Sequence, residues 1–159
     1  MTALAAAGPV AVGGILAARA HDASPMLAAP AIVFGVVAAT GPALYIATAA
    51  AGHAPPLSAV VRAFGTAIGA FGIALAGLIL PAAFVALSSV SDGAALGAAT
   101  GAIGGAGLLG LRRLAIELTA GAPGAQSALA SRLVFLAWAA ATVAIAGRLW
   151  WDLAVEVMS

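Results

Sequence analysis

The sequence contains no cysteine and no lysine, and only 7% of its 159 residues are charged. The absence of cysteine excludes disulfides, thiolate metal sites, iron–sulfur ligation and a cysteine nucleophile. The six basic residues are all arginine, and the formal net charge is only +1. Because these arginines are dispersed, the clustered basic surface of a nucleic-acid-binding protein is missing, and we expect no nucleic-acid partner.

The sequence is instead rich in hydrophobic residues, which make up 64% of the chain. Asp, Glu, Lys, Arg and His are all absent from residues 26–52 and again from residues 63–91. Each stretch exceeds the roughly 20 helical residues that cross a bilayer. Two shorter apolar runs follow. We therefore predict an all-α fold, a polytopic transmembrane helical bundle in one domain, with spans at 26–52, 60–88, 93–111 and 133–151.

A candidate fifth span covers residues 3–18, which are apolar but few and include Gly8-Pro9 and Gly13-Gly14. This segment is compatible with a short or tilted membrane helix, with an interfacial segment or with a disordered tail. A secretory signal peptide is disfavoured because no Lys or Arg precedes the apolar run. We prefer the five-span arrangement.

The distribution of arginine predicts the orientation of the bundle. One side of the predicted membrane receives Arg62, Arg112, Arg113 and Arg132, and the other receives only Arg19 and Arg148. Basic residues near helix ends are retained on the cytoplasmic side. The side with more arginine, including the polar loop 112–132, is therefore predicted to be cytoplasmic, and the C-terminus is predicted to lie outside.

Small residues recur at helical spacing in the predicted spans 60–88 and 93–111. Gly97, Gly101 and Gly105 form two overlapping GxxxG steps, and Gly65 and Gly69 form another. Such strips let helix backbones approach closely where lipid supplies no hydrophobic drive. One small chain can cover only part of this surface. The pattern therefore predicts contacts with lipid and with other membrane subunits or a second copy of the chain.

Two prolines, Pro42 and Pro81, lie inside long apolar runs, where each removes a helix hydrogen bond and favours a kink. Interrupted helices at mid-membrane form the substrate sites of some transporters, so a channel or transporter component is one alternative. Kinks are also common in membrane helices for architectural reasons. Essentially no ionisable side chain is predicted at mid-depth, which disfavours secondary active transport.

The histidines are the main candidates for cofactor chemistry. His21 and His53 are the only imidazoles in the sequence, and both lie near predicted loops on opposite membrane surfaces, so they could not clamp one haem. The simpler interpretation is a solvated or headgroup-level histidine; a haem or pigment ligand at His53 is the alternative. The serine-rich turn 88–92 lacks an adjacent base and is better explained by helix capping. We therefore predict no catalytic residue, no metal site and no cofactor.

The last apolar run ends in Trp150 and Trp151, whose indole N–H groups could reach the headgroups while the rings stay in the acyl boundary. We predict that both anchor the membrane surface. Arg148, Asp152 and Glu156 follow one another at i, i+4 and i+8, which places them on one helix face. A solvated face explains this charge ladder most simply, and a partner-docking strip is the sharper interpretation.

Five segments of the chain carry a resemblance to a known family: GPALYIATAAAG, PPLSAVVRAFG, GIALAGLILPAAFVALSS, GLLGLRRL and, later, LAWAAATVAIAGRLWW. With them, the segment from about Pro30 to Arg113 resembles an uncharacterised family of bacterial multi-pass inner-membrane proteins. The resemblance implies a bundle of four to five helices in the bacterial inner membrane. It implies no activity and no catalytic residue. The N-terminal segment departs from the family pattern because it is shorter and richer in Ala and Gly.

The sequence therefore favours a non-catalytic integral membrane subunit that acts as a scaffold or assembly element of a membrane protein complex. The channel or transporter component with kinks at Pro42 and Pro81, and the accessory subunit that binds a haem or pigment through His53, are the alternatives.

Overall fold

The computed structural model describes residues 2–52, 55–119 and 125–158 and has an all-α architecture. Its helices are α1 at Thr2–Ala20, α2 at Ser24–Ala50, α3 at Leu57–Ser88, α4 at Asp92–Thr119 and α5 at Ala125–Met158. No strand occurs within the described ranges. The helical bundle predicted from the apolar runs is confirmed.

Four of the described helices are long and apolar enough to cross a membrane: α2, α3, α4 and the part of α5 from Leu129 to Glu156. Large apolar side chains project from their outer faces; Leu27 is 76% exposed, Leu80 78% and Phe84 73%. An apolar surface spread over several helices is unfavourable in water and favourable in lipid. Helices can lie in lipid because each one satisfies its own backbone hydrogen bonds. The chain is a membrane protein whose outer surface contacts the bilayer.

The helix α1 packs into the bundle against α2 and α3. Its side chains Val12 and Leu16 are only 0% and 2% exposed. The contact with α2 is so close that a Cβ at Gly13 would lie 2.3 Å from the carbonyl oxygen of Pro25. Residues 3–18 thus form part of a helix that packs in the bundle. Its 19 residues make it about 28 Å long, and its crossing of the bilayer stays a prediction.

The remaining helices form two pairs, in which α3 packs along α4 and α2 packs along α5. Their buried side chains fall into two clusters. The α1 cluster joins α1, α3 and α4 and comprises Val12, Leu16, Phe71, Leu75, Ala82, Ala99, Ala102 and Ala106. The Trp138 cluster joins α2, α3, α4 and α5 and comprises Leu44, Ala63, Ala67, Leu114, Phe135 and Trp138.

The polar loop predicted at residues 112–132 is shorter than expected. α4 continues to Thr119, and α5 already begins at Ala125. Arg113 and Glu117 form an ion pair of 2.7 Å at i,i+4 spacing, which supports the helix beyond residue 111. Charged residues mark where the hydrocarbon ends, but helix formation does not stop there. α5 likewise continues beyond the predicted end of its span.

Candidate functional site

The helix α4 presents an alanine-rich face to the bundle and glycines to the outside. The buried face consists of Ala95, Ala99, Ala102, Ala106, Gly110 and Leu114. Gly97 and Gly101 are exposed, and a Cβ at either position would have no neighbouring atom within 4 Å. We call these two positions the glycine face. They are predicted packing residues for which the chain itself supplies no partner among the described residues.

The other predicted packing glycines have mixed surroundings. Gly69 is buried in α3, and a Cβ at Gly105 would lie 3.6 Å from an α3 side chain, whereas Gly65 is exposed with open space around it. A tighter contact of α3 with α4 occurs at Gly110, where a Cβ would lie 3.2 Å from the carbonyl oxygen of Ala67. Gly110 was not among the predicted packing residues, although it lies on the same helix as the predicted strip.

A partly open cavity of about 480 Å³ lies between α2, α3, α4 and α5. On α4 its wall extends from Thr100 to Leu114, and on α5 from Trp138 to Trp150. At 1.5 Å per helical residue these walls are about 20 Å long. The lining is almost wholly apolar, and none of the described lining residues is charged. Small-molecule sites occupy about 300–1,000 Å³, so the cavity is large enough to hold a ligand.

One edge of the cavity carries a hydrogen-bond network that joins α5 to α2. The Trp138 Nε1 donates to the carbonyl oxygen of Thr40 at 2.7 Å. The Thr142 hydroxyl donates to Thr40 Oγ1 at 3.3 Å, and Thr40 Oγ1 donates in turn to the carbonyl oxygen of Val36 at 2.8 Å. Trp138 and Thr142 are only 8% and 7% exposed. Polar side chains of this kind join helices in membranes, and sequence reasoning missed all three of them.

The two C-terminal tryptophans have different surroundings. Trp150 packs against the α1 cluster, and its Nε1 donates to the hydroxyl of Thr100 on α4 at 2.8 Å. Trp151 is 60% exposed. The first indole therefore joins α5 to α4 at one end of the cavity. The role of both residues as anchors of the membrane surface stays a prediction.

The charge ladder at the end of α5 has the predicted helical geometry. Arg148 and Asp152 form an ion pair of 3.2 Å on an exposed face, and Glu156 lies exposed one turn further along. Exposed ion pairs typically contribute less than about 1 kcal/mol to stability, so this ladder is not what holds α5 in place. Its use as a docking strip stays a prediction.

The described residues of the two alternative functions are not among those that line the cavity. Pro42 and Pro81 lie inside α2 and α3, which continue through them as helices, and neither proline lines the cavity. His21 lies in the connection between α1 and α2. His53 lies outside the described residues. Within the described part of the chain, no three His, Cys, Asp or Glu residues come together in a group that could hold a metal ion.

Comparison of the chain with models of protein families, with curated proteins and with solved structures gave no match. The resemblance of its middle segment to bacterial inner-membrane proteins gains no support from these comparisons. No activity, ligand or partner can therefore be transferred from a relative, and a functional proposal rests on the geometry of the chain itself.

Proposed function

We propose that this chain is a non-catalytic integral membrane subunit, a scaffold or assembly element that joins a second copy or another membrane chain through the glycine face of α4. The open space beside Gly97 and Gly101 is the observation that carries this proposal. The buried face of the same helix is already occupied by α3. A partner helix can therefore approach on the glycine face without displacing any helix of the bundle.

The physical case for a partner lies in what glycine does on an exposed helix. Glycine in a helix interior is less favourable than alanine by about 1 kcal/mol. Where the helix faces lipid, this loss of helix stability is not offset, because a bare backbone makes few dispersion contacts with mobile acyl chains. Against a second helix, the missing side chains permit the close backbone approach on which helix association in membranes depends. The glycine face is thus suited to protein rather than lipid.

The test compares Gly101→Ile with Gly35→Ile in mild detergent. Gly35 lies on α2, is exposed and, like Gly101, would have no atom within 4 Å of an added Cβ. Both variants add the same branched side chain to an open helix surface. Only the first blocks the glycine face.

We expect Gly101→Ile to reduce self-association or co-purification of other membrane chains by at least about tenfold, since losing about 1.4 kcal/mol of packing already has that effect. Gly35→Ile should leave association unchanged. Native mass analysis of the extracted complexes gives the stoichiometry. Equal association of the wild-type chain and both variants would contradict the proposal.

We also propose that the chain lies in the bacterial inner membrane with its arginine-rich end in the cytoplasm and its C-terminus outside. The packing supports a common location for that end, since Ala63, Leu114 and Phe135 belong to one buried cluster. Each lies within three residues of one of the four arginines of this end, which are Arg62, Arg112, Arg113 and Arg132. Retention of basic residues on the cytoplasmic side then gives the orientation.

A further inference from the structure

We infer that the cavity between α2, α3, α4 and α5 binds one acyl chain of a membrane phospholipid, with the phosphate of that lipid at Arg112. The site is distinct from the glycine face, because neither Gly97 nor Gly101 lines the cavity. The inference goes beyond the assembly role and does not depend on it. It gives the bundle a lipid-binding function of its own.

The size and shape of the cavity fit a single hydrocarbon chain. A dry apolar cavity of about 150 Å³ holds one benzene molecule, so a cavity of about 480 Å³ has room for roughly three such groups, or about eighteen carbon atoms. The walls on α4 and α5 extend for about 20 Å along the helix axes. A volume of this length and capacity matches an extended acyl chain better than a compact ligand.

The chemistry of the walls selects an apolar occupant. The polar side chains of the lining are already paired: Trp138 with Thr40, Thr142 with Thr40, Trp150 with Thr100, and Thr100 with the Leu96 carbonyl. A polar ligand would therefore find no free donor among the described side chains of the wall. Lipid chains surround the bundle, and a chain that fills the cavity restores the dispersion contacts that an empty cavity forfeits.

Arg112 supplies the charge complementarity for the headgroup. It follows the wall residue Leu108 by four positions, so both lie on the same face of α4. The Cα–Cβ bond of a helical residue tilts toward the helix N-terminus, so the Arg112 side chain leaves α4 on the side of this wall. Arg113 forms an ion pair with Glu117. Arg112 is exposed and forms no ion pair with any residue that the structure describes. A guanidinium in this position can bind a phosphate through two charge-assisted hydrogen bonds.

Intrinsic fluorescence can report occupation of the cavity. Trp151→Phe leaves only Trp138 and Trp150, and both line the cavity. This variant is titrated in detergent with phosphatidylglycerol whose acyl chains carry bromine, which quenches an indole that it contacts. We expect quenching that saturates at one lipid per chain. Quenching that rises without saturation would overturn the inference.

Filling the cavity should abolish the saturable phase. Gly107 lines the cavity, and Gly35 does not, but neither has an atom within 4 Å of an added Cβ. Each excluded methylene weakens binding by about fourfold, so Gly107→Leu should weaken it by roughly a hundredfold while Gly35→Leu leaves it unchanged. Gly147→Leu fills the cavity from α5 and should weaken binding in the same way. This second variant provides the test if the Gly107 variant does not fold. Unchanged affinity in a folded filled variant would overturn the site.

The two adjacent arginines provide a matched test of the headgroup contact. Arg112→Gln should weaken lipid binding by about tenfold, the loss expected for one charge-assisted contact. Arg113→Gln removes the same charge one position away and should have little effect. Equal effects would overturn the assignment of the phosphate to Arg112. Native mass analysis identifies the occupant by comparing the wild-type chain with Gly107→Leu. If the variant loses a bound second copy of the chain and loses no lipid, the cavity does not bind an acyl chain.

Discussion

Among the individual side chains, Trp138 of α5 contacts both α2 and α3. Its indole N–H reaches the Thr40 carbonyl on α2, and its ring meets Phe64 of α3 edge to face, with centroids 6.1 Å apart. It also packs against Phe135, one turn earlier on α5. Edge-to-face pairs of this kind contribute about 0.5–1.5 kcal/mol beyond the area that they bury.

We therefore expect Trp138→Phe to lower the free energy of unfolding by about 1–2 kcal/mol, because it removes the indole donor and leaves the Thr40 carbonyl without this bond. Trp151→Phe makes the same chemical change at a side chain that is 60% exposed, and it should have almost no effect. Denaturation of each variant in mixed micelles, followed by circular dichroism, measures the difference. Equal losses in both variants would show that the hydrogen bond is not responsible.

A second prediction concerns Asp22, which lies between α1 and α2, outside the spanning segments. Hydrogen bonds from the Ser24 side chain, and then from its backbone N–H at 3.2 Å, hold the pKa of this carboxyl below its usual 3.8. Since the folded pKa is depressed, the stabilising effect is present above the unfolded pKa and is lost as the pH falls through the folded value. Ser24→Ala should raise the pKa of Asp22 toward 3.8. An NMR titration of the carboxyl carbon that shows no change would contradict this assignment.

In α1, two adjacent glycines distinguish the two sides of the helix, and the contact with α2 leaves no room for a side chain at the first of them. A Cβ at Gly13 would lie 2.3 Å from the Pro25 carbonyl oxygen, a backbone atom that cannot move aside cheaply, whereas a Cβ at Gly14 would meet nothing within 4 Å. From the sequence, this pair was noted only as part of a short apolar segment. Its use as a packing point depends on α2, which the local sequence does not place.

Gly13→Ala should destabilise the bundle by about 1–3 kcal/mol, as overpacking does in well-packed cores. Gly14→Ala should instead stabilise it by up to about 1 kcal/mol, because alanine is the better helix former and has room at that position. Thermal unfolding of both variants in the same detergent gives the comparison. A loss of stability in Gly14→Ala equal to that in Gly13→Ala would show that α1 does not pack as described.

The helix α4 shows where sequence reasoning reaches its limit. Its existence, its apolar character and its small-residue strip follow from the sequence, since residues 93–111 contain no Asp, Glu, Lys, Arg or His. The sequence could not decide which strip faces inward, because Ala99 and Gly97 belong to rows with the same helical period. The choice depends on where α3 lies. The cavity was unpredictable for a related reason, since its walls come from helices that are far apart in the sequence.

For the bundle as a whole, the absence of cysteine makes orientation directly testable. Single cysteines are introduced at Ser58, near the start of α3, and at Ser91, in the turn before α4; both positions are exposed. We expect a membrane-impermeant maleimide to label the Ser91 variant in intact cells and the Ser58 variant only after permeabilisation. Each variant serves as the control for the other. The reverse pattern would contradict the orientation inferred from arginine.

The hydrogen bond from Trp138 to Thr40 joins residues 98 positions apart, and this separation constrains the order of assembly. A chain made from its N-terminus inserts α2 well before α5 has been synthesised. During that interval the Thr40 carbonyl lies inside α2, where the helix ladder supplies a backbone N–H donor, and the Thr40 hydroxyl donates to the Val36 carbonyl. The helix α2 can therefore lie in the bilayer before α5 is present without an unpaired polar group at Thr40. The arrival of α5 then closes the bundle, so a chain truncated before Trp138 would insert its first helices and remain an open, unfinished assembly.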